Sequence, residues 1–289
     1  MRNLLIWLTG FCLAIQLSAC SDPVHAPSTE SLRIGVLPDE SAEALQDRYA
    51  LLFEFLSRET GLAYELVIPT SYDALLTQFS EGQVDLAYFG GATFVRANSK
   101  YGAIPLVMRD VDSRFTSVFL VAGDSPLTLE TLKGKRFSFG SRLSTSGHFM
   151  PRHFLQHEQG ITAEHYFSSI RYSGKHDRTA YWVRDGEVDA GVANSEIVHK
   201  MLADGRLGPE DIRTIWITPP YADYVWAAHP QISEARRERI QHAFLKLSID
   251  DPQHKAILSK LGADAFYPAS TKDFSTLKQV MAATDVDVM

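Results

Sequence analysis

The chain is 289 residues long, 45% hydrophobic and 22% charged, with 28 Lys and Arg against 35 Asp and Glu, a net charge of −7. That length suits one large or two medium domains. The acidic balance argues against a nucleic-acid partner, whose phosphates call for an excess of basic side chains, but it leaves room for a small anionic ligand that a few local donors can hold.

The N-terminus reads as a targeting segment. Arg2 precedes an apolar stretch, residues 4–17, that is too short for a comfortable membrane span. It runs into Leu17-Ser18-Ala19-Cys20, which resembles the bacterial lipoprotein processing box, small residues before a cysteine. Residues 1–19 are expected to be a signal peptide, Cys20 the lipidated first residue after cleavage, and 20–31, polar and proline-bearing, a tether. Cleavage also removes Cys12, so no second thiol remains for a disulfide, a thiol enzyme or a cysteine metal site. The mature chain would carry 27 basic against 35 acidic residues, −8, since only Arg2 is lost. No later segment is apolar for long enough to span a bilayer. The expected location is therefore the periplasmic face of a bacterial membrane, held by lipid and otherwise soluble.

From Leu32 strands alternate with helices, the signature of an α/β fold. LRIGVLP is a strand, and AEALQDRYALLFEFLSRETG is an amphipathic helix ending on Gly61. AYELVIP, SYDALLTQFSEG and VDLAYFGG then read strand, helix, strand. In the second half RFSFGS is a strand and HFMPRHFLQHEQG a short helix closed by Gly160. Between them lie Ser141, Arg142, Ser144, Thr145, Ser146 and Gly147. A strand that empties into hydroxyls just before a helix gathers free backbone N–H groups at a positive dipole end, a place to hold an anion. One of these hydroxyls could equally be a plain helix cap.

The grammar repeats. Ser71-Tyr72-Asp73 through QVDLAYFG matches Lys175-His176-Asp177 through EVDAGVAN, and RIGVLPDES aligns with RFSFGSRLS at nearly the same offset. Two matches in one register predict two similar lobes. The runs 114–126 and 212–230 are β-rich and read as crossings between them, and 233–289 reads as mostly helical, packing back on the first lobe. The first lobe is expected to take 32–120 and 225–289, the second 121–224. Ligands of open α/β sheets bind beyond the carboxyl ends of the strands. Tyr72 and His176, each at a helix start, should then face one cleft, with residues 39–41 opposite 142–144. His176 would be a donor whose charge adapts, and Ser144, Thr145 and Ser146 neutral donors.

Other chemistries find little support. STSGH invites a serine-nucleophile reading, but the stretch has no G-x-S-x-G elbow or S-x-x-K, and Asp177, adjacent to His176, does not face it on a helix. His153 and His157 lie one helical turn apart without a third ligand at a suitable spacing, and Pro151 disturbs the turn. No G-x-x-x-x-G-K loop is present. Neither a metal nor another cofactor is expected.

STSG followed by Pro151, then SGKHD, GEVDAG and PPYADYVW, resembles the phosphonate/phosphite-type periplasmic substrate-binding proteins of ABC importers over nearly the whole mature chain. The resemblance implies a two-lobed flytrap of the type II periplasmic-binding-protein fold, with a ligand cleft between two mixed sheets. Such a protein does no chemistry and delivers a small oxyanion to a membrane permease. It implies that Ser144, Thr145, Ser146, neighbouring N–H groups and His176 hold the oxyanion head, that Tyr88 follows the first-lobe strand into the site, and that Asp223 can meet an ammonium group on an aminophosphonate. The chain differs from the family pattern at Lys175, where a small residue is common, at Phe89-Gly90-Gly91-Ala92, and in the two acids of Pro38-Asp39-Glu40-Ser41. The expected partners are the oxyanion, the ABC permease and, through the lipid, the membrane, with the chain a monomer; a flytrap that signals to a membrane sensor would use the same fold and site.

Overall fold

The computed structural model describes residues 31–284. The expected signal peptide (1–19), Cys20 and all of the expected tether (20–31) but Ser31 lie outside the described residues.

The first run of elements follows the alternation of apolar and polar positions. β1 (Ser31–Val36) leads into α1 (Ala42–Thr60), where Ser41 caps the start by accepting from Ala44 N–H and Gly61 ends the helix in the left-handed conformation. β2 (Ala63–Val67), α2 (Tyr72–Ser80), β3 (Leu86–Phe89), α3 (Gly91–Tyr101) and β4 (Ile104–Arg109) follow. A 3₁₀ turn at Asp110–Arg114 carries the chain to β5 (Ser117–Ala122) and β6 (Arg136–Phe139). A π-helical turn (Thr145–Phe149) then runs into α4 (Met150–Gln159), followed by α5 (Ala163–Tyr166), β7 (Ser169–Tyr172), α6 (His176–Arg184), β8 (Ala190–Asn194), α7 (Ser195–Ala203) and β9 (Ile212–Ile217). The return comprises β10 (Val225–Ala228), α8 (Glu234–Leu245), α9 (Pro252–Leu261), β11 (Phe266–Pro268) and α10 (Ser275–Ala283).

These strands form two mixed sheets, in the orders β11-β4-β10-β3-β1-β2 and β7-β6-β8-β5-β9. The internal repeat is visible in both. Three parallel strands, β2-β1-β3 or β7-β6-β8, receive an antiparallel fourth, β10 or β5. Each of those fourth strands is the one that enters from a crossing. The fold is therefore two-lobed α/β with two mixed sheets.

The repeat extends to side chains. Arg33 donates from its backbone N–H and Nε to Asp85 Oδ2 at 2.8 and 3.0 Å, and from Nη2 to Asp85 Oδ1 at 2.9 Å. Arg136 does the same to Asp189, at 2.8, 3.2 and 2.7 Å. In both lobes the turn before the aspartate needs a glycine at positive φ, Gly82 at 67° and Gly186 at 68°.

Sheet pairing puts the crossings at residues 110–116 and 218–224. Residue 120, the expected limit of the first lobe, falls inside β5, and 225 falls at the start of β10. The crossings pair with each other: Phe115 and Tyr221 exchange backbone hydrogen bonds of 2.8 and 3.0 Å, and Asp223 N–H donates to Asp112 O at 2.9 Å. The C-terminal part is not helical throughout. β11 pairs antiparallel with β4 and extends the outer edge of the first sheet, while α8 and α9 pack on α1.

One large core fills the first lobe and reaches α10. The second sheet has a core on each face, and β5 feeds both: Val118 and Leu120 enter one, Phe119 and Val121 the other. That is the two-residue period of a strand buried on both faces.

Candidate functional site

The site forms where the carboxyl ends of both sheets meet. On the second lobe β6 stops at Phe139, and Gly140 N–H donates to Gly147 O at 2.8 Å, folding the hydroxyl loop back on itself. Ser144 caps the π-helical turn, its Oγ accepting from Gly147 N–H at 2.9 Å. Gly147 is required here: a Cβ on it would lie 3.0 Å from both Ser144 Oγ and His176 Cε1. The first-turn N–H groups of Thr145 and Ser146 have no intrahelical acceptor to satisfy them.

Tyr72 and His176 are the first residues of α2 and α6, as the repeat predicts, and both face this loop. The Tyr72 hydroxyl neighbours Ser144, and His176 Nε2 stands 3.5 Å from Ser144 Oγ. His176 is fully buried, and its Nδ1 accepts the backbone N–H of Asn194 at 3.1 Å. That bond assigns the ring proton to Nε2. Burial, and then the Arg48 charge, push its pKa down to about 3. The expectation of a donor with adaptable charge is thus corrected: His176 is a neutral donor with fixed tautomer. With its proton on Nε2, the ring presents a donor to Ser144.

The first lobe closes the site with the start of α3. Gly91 N–H donates to Asp223 Oδ1 at 2.8 Å, and Ala92 N–H donates to Thr145 Oγ1 at 2.9 Å. The second bond runs between the lobes. Asp223 and Thr145 thereby take the helix N-terminal donors that would otherwise be orphaned. Thr145 and Ser146 lie beside Asp223, yet Asp223 Oδ2 and Ser146 Oγ make no hydrogen bond among the described residues. Burial raises the Asp223 pKa to about 7, against the restraint of the Gly91 N–H and the two hydroxyls. Asp39 completes the wall: its Oδ2 accepts from Tyr224 OH at 2.9 Å and its backbone O from His176 N–H at 3.0 Å.

Of the residues expected from sequence, Ser144, Thr145, Ser146, His176, Tyr72 and Asp223 come together, none more than 2% exposed. Tyr88 does not join them. Its ring stacks on Tyr224 with centroids 5.2 Å apart, and its hydroxyl donates to Asp112 at 3.3 Å. It faces a cavity of about 330 Å³ lined also by Asp39, Arg48, Arg109, Asn194 and Tyr224, behind the site wall formed by Asp39. The reason is strand alternation: Tyr88 and Phe89 lie on opposite faces of β3, and the chain reaches the cleft only at Gly90–Ala92. Asn194, which sets the His176 tautomer, and Tyr221, whose hydroxyl lies beside Ser146, carry no expectation from the sequence, whereas Asp39 falls in the 39–41 stretch expected opposite the hydroxyl loop. For Asn194 the available signal was its place at the end of a repeat strand, the position where ligand loops begin.

The arrangement is donor-rich and buried beside one carboxyl, which suits an oxyanion that shares a proton. A family model described as "ABC transporter, phosphonate, periplasmic substrate-binding protein" matches residues 34–274. The chain is 31% identical, over 97% of its own length and 97% of the relative's, to a probable ABC transporter phosphite binding protein, PhnD1, of Prochlorococcus marinus (strain MIT 9301). It is 28% identical to the phosphate-import protein PhnD of Mycolicibacterium smegmatis, covering 81% of this chain and 78% of that one. The solved structure of P. marinus PhnD1 in complex with methylphosphonate superposes with a TM-score of 0.82 at 30% identity, covering 88% of this chain and 98% of that one.

Proposed function

The chain belongs to the phosphonate family of ABC-transporter periplasmic substrate-binding proteins, and on that premise we propose that its cleft captures phosphite, methylphosphonate or a similarly small phosphorus oxyanion for delivery to the permease. One observation carries the ligand class: the Nε2–H of His176 and the hydroxyls of Tyr72, Ser144 and Ser146 converge in a buried site beside the unpartnered Oδ2 of Asp223. Hydrogen bonds to an ionised acceptor are about twice as strong as neutral ones, so neutral donors in a dry site suffice. The relatives named above bind phosphite, methylphosphonate or phosphate, and a phosphorus oxyanion is what they share.

An aminoalkyl arm fits less well. Asp223 spends Oδ1 on Gly91, and at a pKa of about 7 it is a poor counter-charge for an ammonium. Tryptophan fluorescence and calorimetric titration with phosphite, methylphosphonate, aminoethylphosphonate, phosphate and sulfate test the reading. Phosphite and methylphosphonate should bind tightest; a chain that binds none of these anions sinks the ligand assignment and leaves the family standing.

The same reading includes a mature chain lipidated at Cys20, working as a monomer without chemistry of its own, with lobes divided at the crossings 110–116 and 218–224. Cys20→Ser should release the protein from the membrane fraction in soluble form; retention there would contradict the anchor.

A further inference from the structure

Two residues of features singled out in the sequence, Lys175 of SGKHD and Glu40 of Pro38-Asp39-Glu40-Ser41, hold no place in the proposed oxyanion grip, yet they meet across the cleft. Glu40 is fully buried in the loop after β1. Its carboxylate pairs with Arg48 of α1 in its own lobe. From the second lobe, Arg206 Nη1 donates to Glu40 Oε1 at 2.9 Å. Lys175 Nζ donates to the backbone O of Glu40 at 3.0 Å, and His176 N–H to that of Asp39 at 3.0 Å.

So second-lobe donors converge on two consecutive first-lobe residues, and two of those donors belong to consecutive residues, Lys175 and His176. Arg206 is preset for this contact, because Asp204 Oδ1 accepts from its Nε at 3.0 Å and from its backbone N–H at 3.2 Å. The Glu40–Arg48 pair lies within one lobe and survives any separation of the two. The Arg206, Lys175 and His176 contacts exist only while the lobes are together, so they stabilise the closed form selectively. While the lobes stay closed Glu40 is fully buried, and a buried carboxylate that loses one of its hydrogen-bonded cations is strongly destabilised, so removal of Arg206 weakens the closed form.

We propose that Glu40 is a positioning residue for ligand capture: with Arg206 and Lys175 it latches the second lobe onto the first and holds His176 over the oxyanion. The inference rests on the ligand reading above only for its choice of probe.

The test uses the mature-length chain with methylphosphonate and phosphite, followed by stopped-flow tryptophan fluorescence. Arg206→Met and Glu40→Gln should raise Kd by about tenfold, equivalent to about 1.4 kcal/mol, and Lys175→Met, whose side chain is partly exposed, by about threefold. The change should sit in koff, with kon altered by less than about twofold, a split that a merely structural defect would not produce. Glu40→Gln deprives Arg48 of its partner and can upset the first lobe; Arg206→Met leaves the Glu40–Arg48 pair intact and is the decisive variant. Wild-type koff in both Arg206→Met and Lys175→Met overturns the latch. If the wild-type chain binds neither probe, the ligand reading fails, and the latch is read instead from small-angle scattering of the ligand-free proteins. A larger radius of gyration in Arg206→Met than in wild type then supports it, and equal radii overturn it.

Discussion

Asn194 donates its backbone N–H to Nδ1 of His176 at 3.1 Å, and so decides which ring nitrogen faces the cleft. Burial holds the ring neutral, with its pKa lowered to about 3. Anion affinity should therefore show no inflection near pH 6.5 from this histidine. His176→Ala should weaken binding by about 10- to 100-fold, through the lost donor to a charged acceptor, whereas His176→Gln, which can still donate, should lose less. Calorimetric titrations between about pH 5.5 and 7 check both points.

Asp223 titrates in the working range, its carboxyl raised to about 7 by burial. Below that pH it holds a proton that it can share with an oxyanion; above it the charged carboxylate repels one. Affinity should fall as pH rises above about 7, by up to about tenfold per unit, and Asp223→Asn should flatten the profile. A wild-type profile that stays level to about pH 8.5 would remove Asp223 from the ligand's proton inventory.

Thr145 links the lobes by accepting from Ala92 N–H, while Ser144 caps its turn and faces His176. Thr145→Ala leaves a buried N–H unsatisfied on closure and should cost about 1–3 kcal/mol of binding energy; Ser144→Ala should cost a similar amount by loss of a donor. Unchanged Kd in both variants would tell against the loop.

Gly147→Ala would set a Cβ 3.0 Å from His176 Cε1 and 3.0 Å from Ser144 Oγ. Overpacking of this kind costs about 1–3 kcal/mol of stability. Affinity should drop along with the melting temperature, because the atoms displaced are those proposed to grip the ligand. An alanine variant that melts and binds like wild type would mean that the loop yields freely.

Acid should destabilise the fold through His148 as well as His176. Burial lowers the His148 pKa to about 4, with Nδ1 donating to Arg142 O at 2.8 Å. An unfolded histidine takes up a proton below about 6.5 while these two do not, so the unfolded state gains as pH falls from there toward 4. Each buried histidine contributes a slope of about 1 kcal/mol per pH unit in that window. The raised carboxyls of Asp39, Asp112 and Asp223 act in the opposite direction, since the folded state then binds more protons than the unfolded. Denaturant unfolding at several pH values, comparing the slope of wild type with that of His148→Gln, isolates the histidine contribution. An identical slope in the variant would contradict it.

The internal repeat shows how far the sequence could be read. QVDLAYFG and EVDAGVAN were enough to predict two lobes and to place Tyr72 and His176 at matching helix starts, because helix start, glycine and strand follow from local chain chemistry. STSG was legible as an anion loop for the same reason. The position of Tyr88, stacked on Tyr224 and apart from the hydroxyl loop, was not legible, because a one-residue step on a strand reverses the face, and only pairing with β1 and β10 shows which face meets the cleft.

The amino-acid sequence alone determined the α/β alternation, the twofold repeat, the hydroxyl loop and the family resemblance, all properties of short stretches and their order. The tertiary structure decided what depends on groups far apart in the chain: that Asn194 sets the proton of His176, that Asp223 is buried to a pKa of about 7, and that Lys175 reaches Glu40. Tautomer, desolvation and contact between lobes are set by neighbours in space, and no spacing along the chain encodes them.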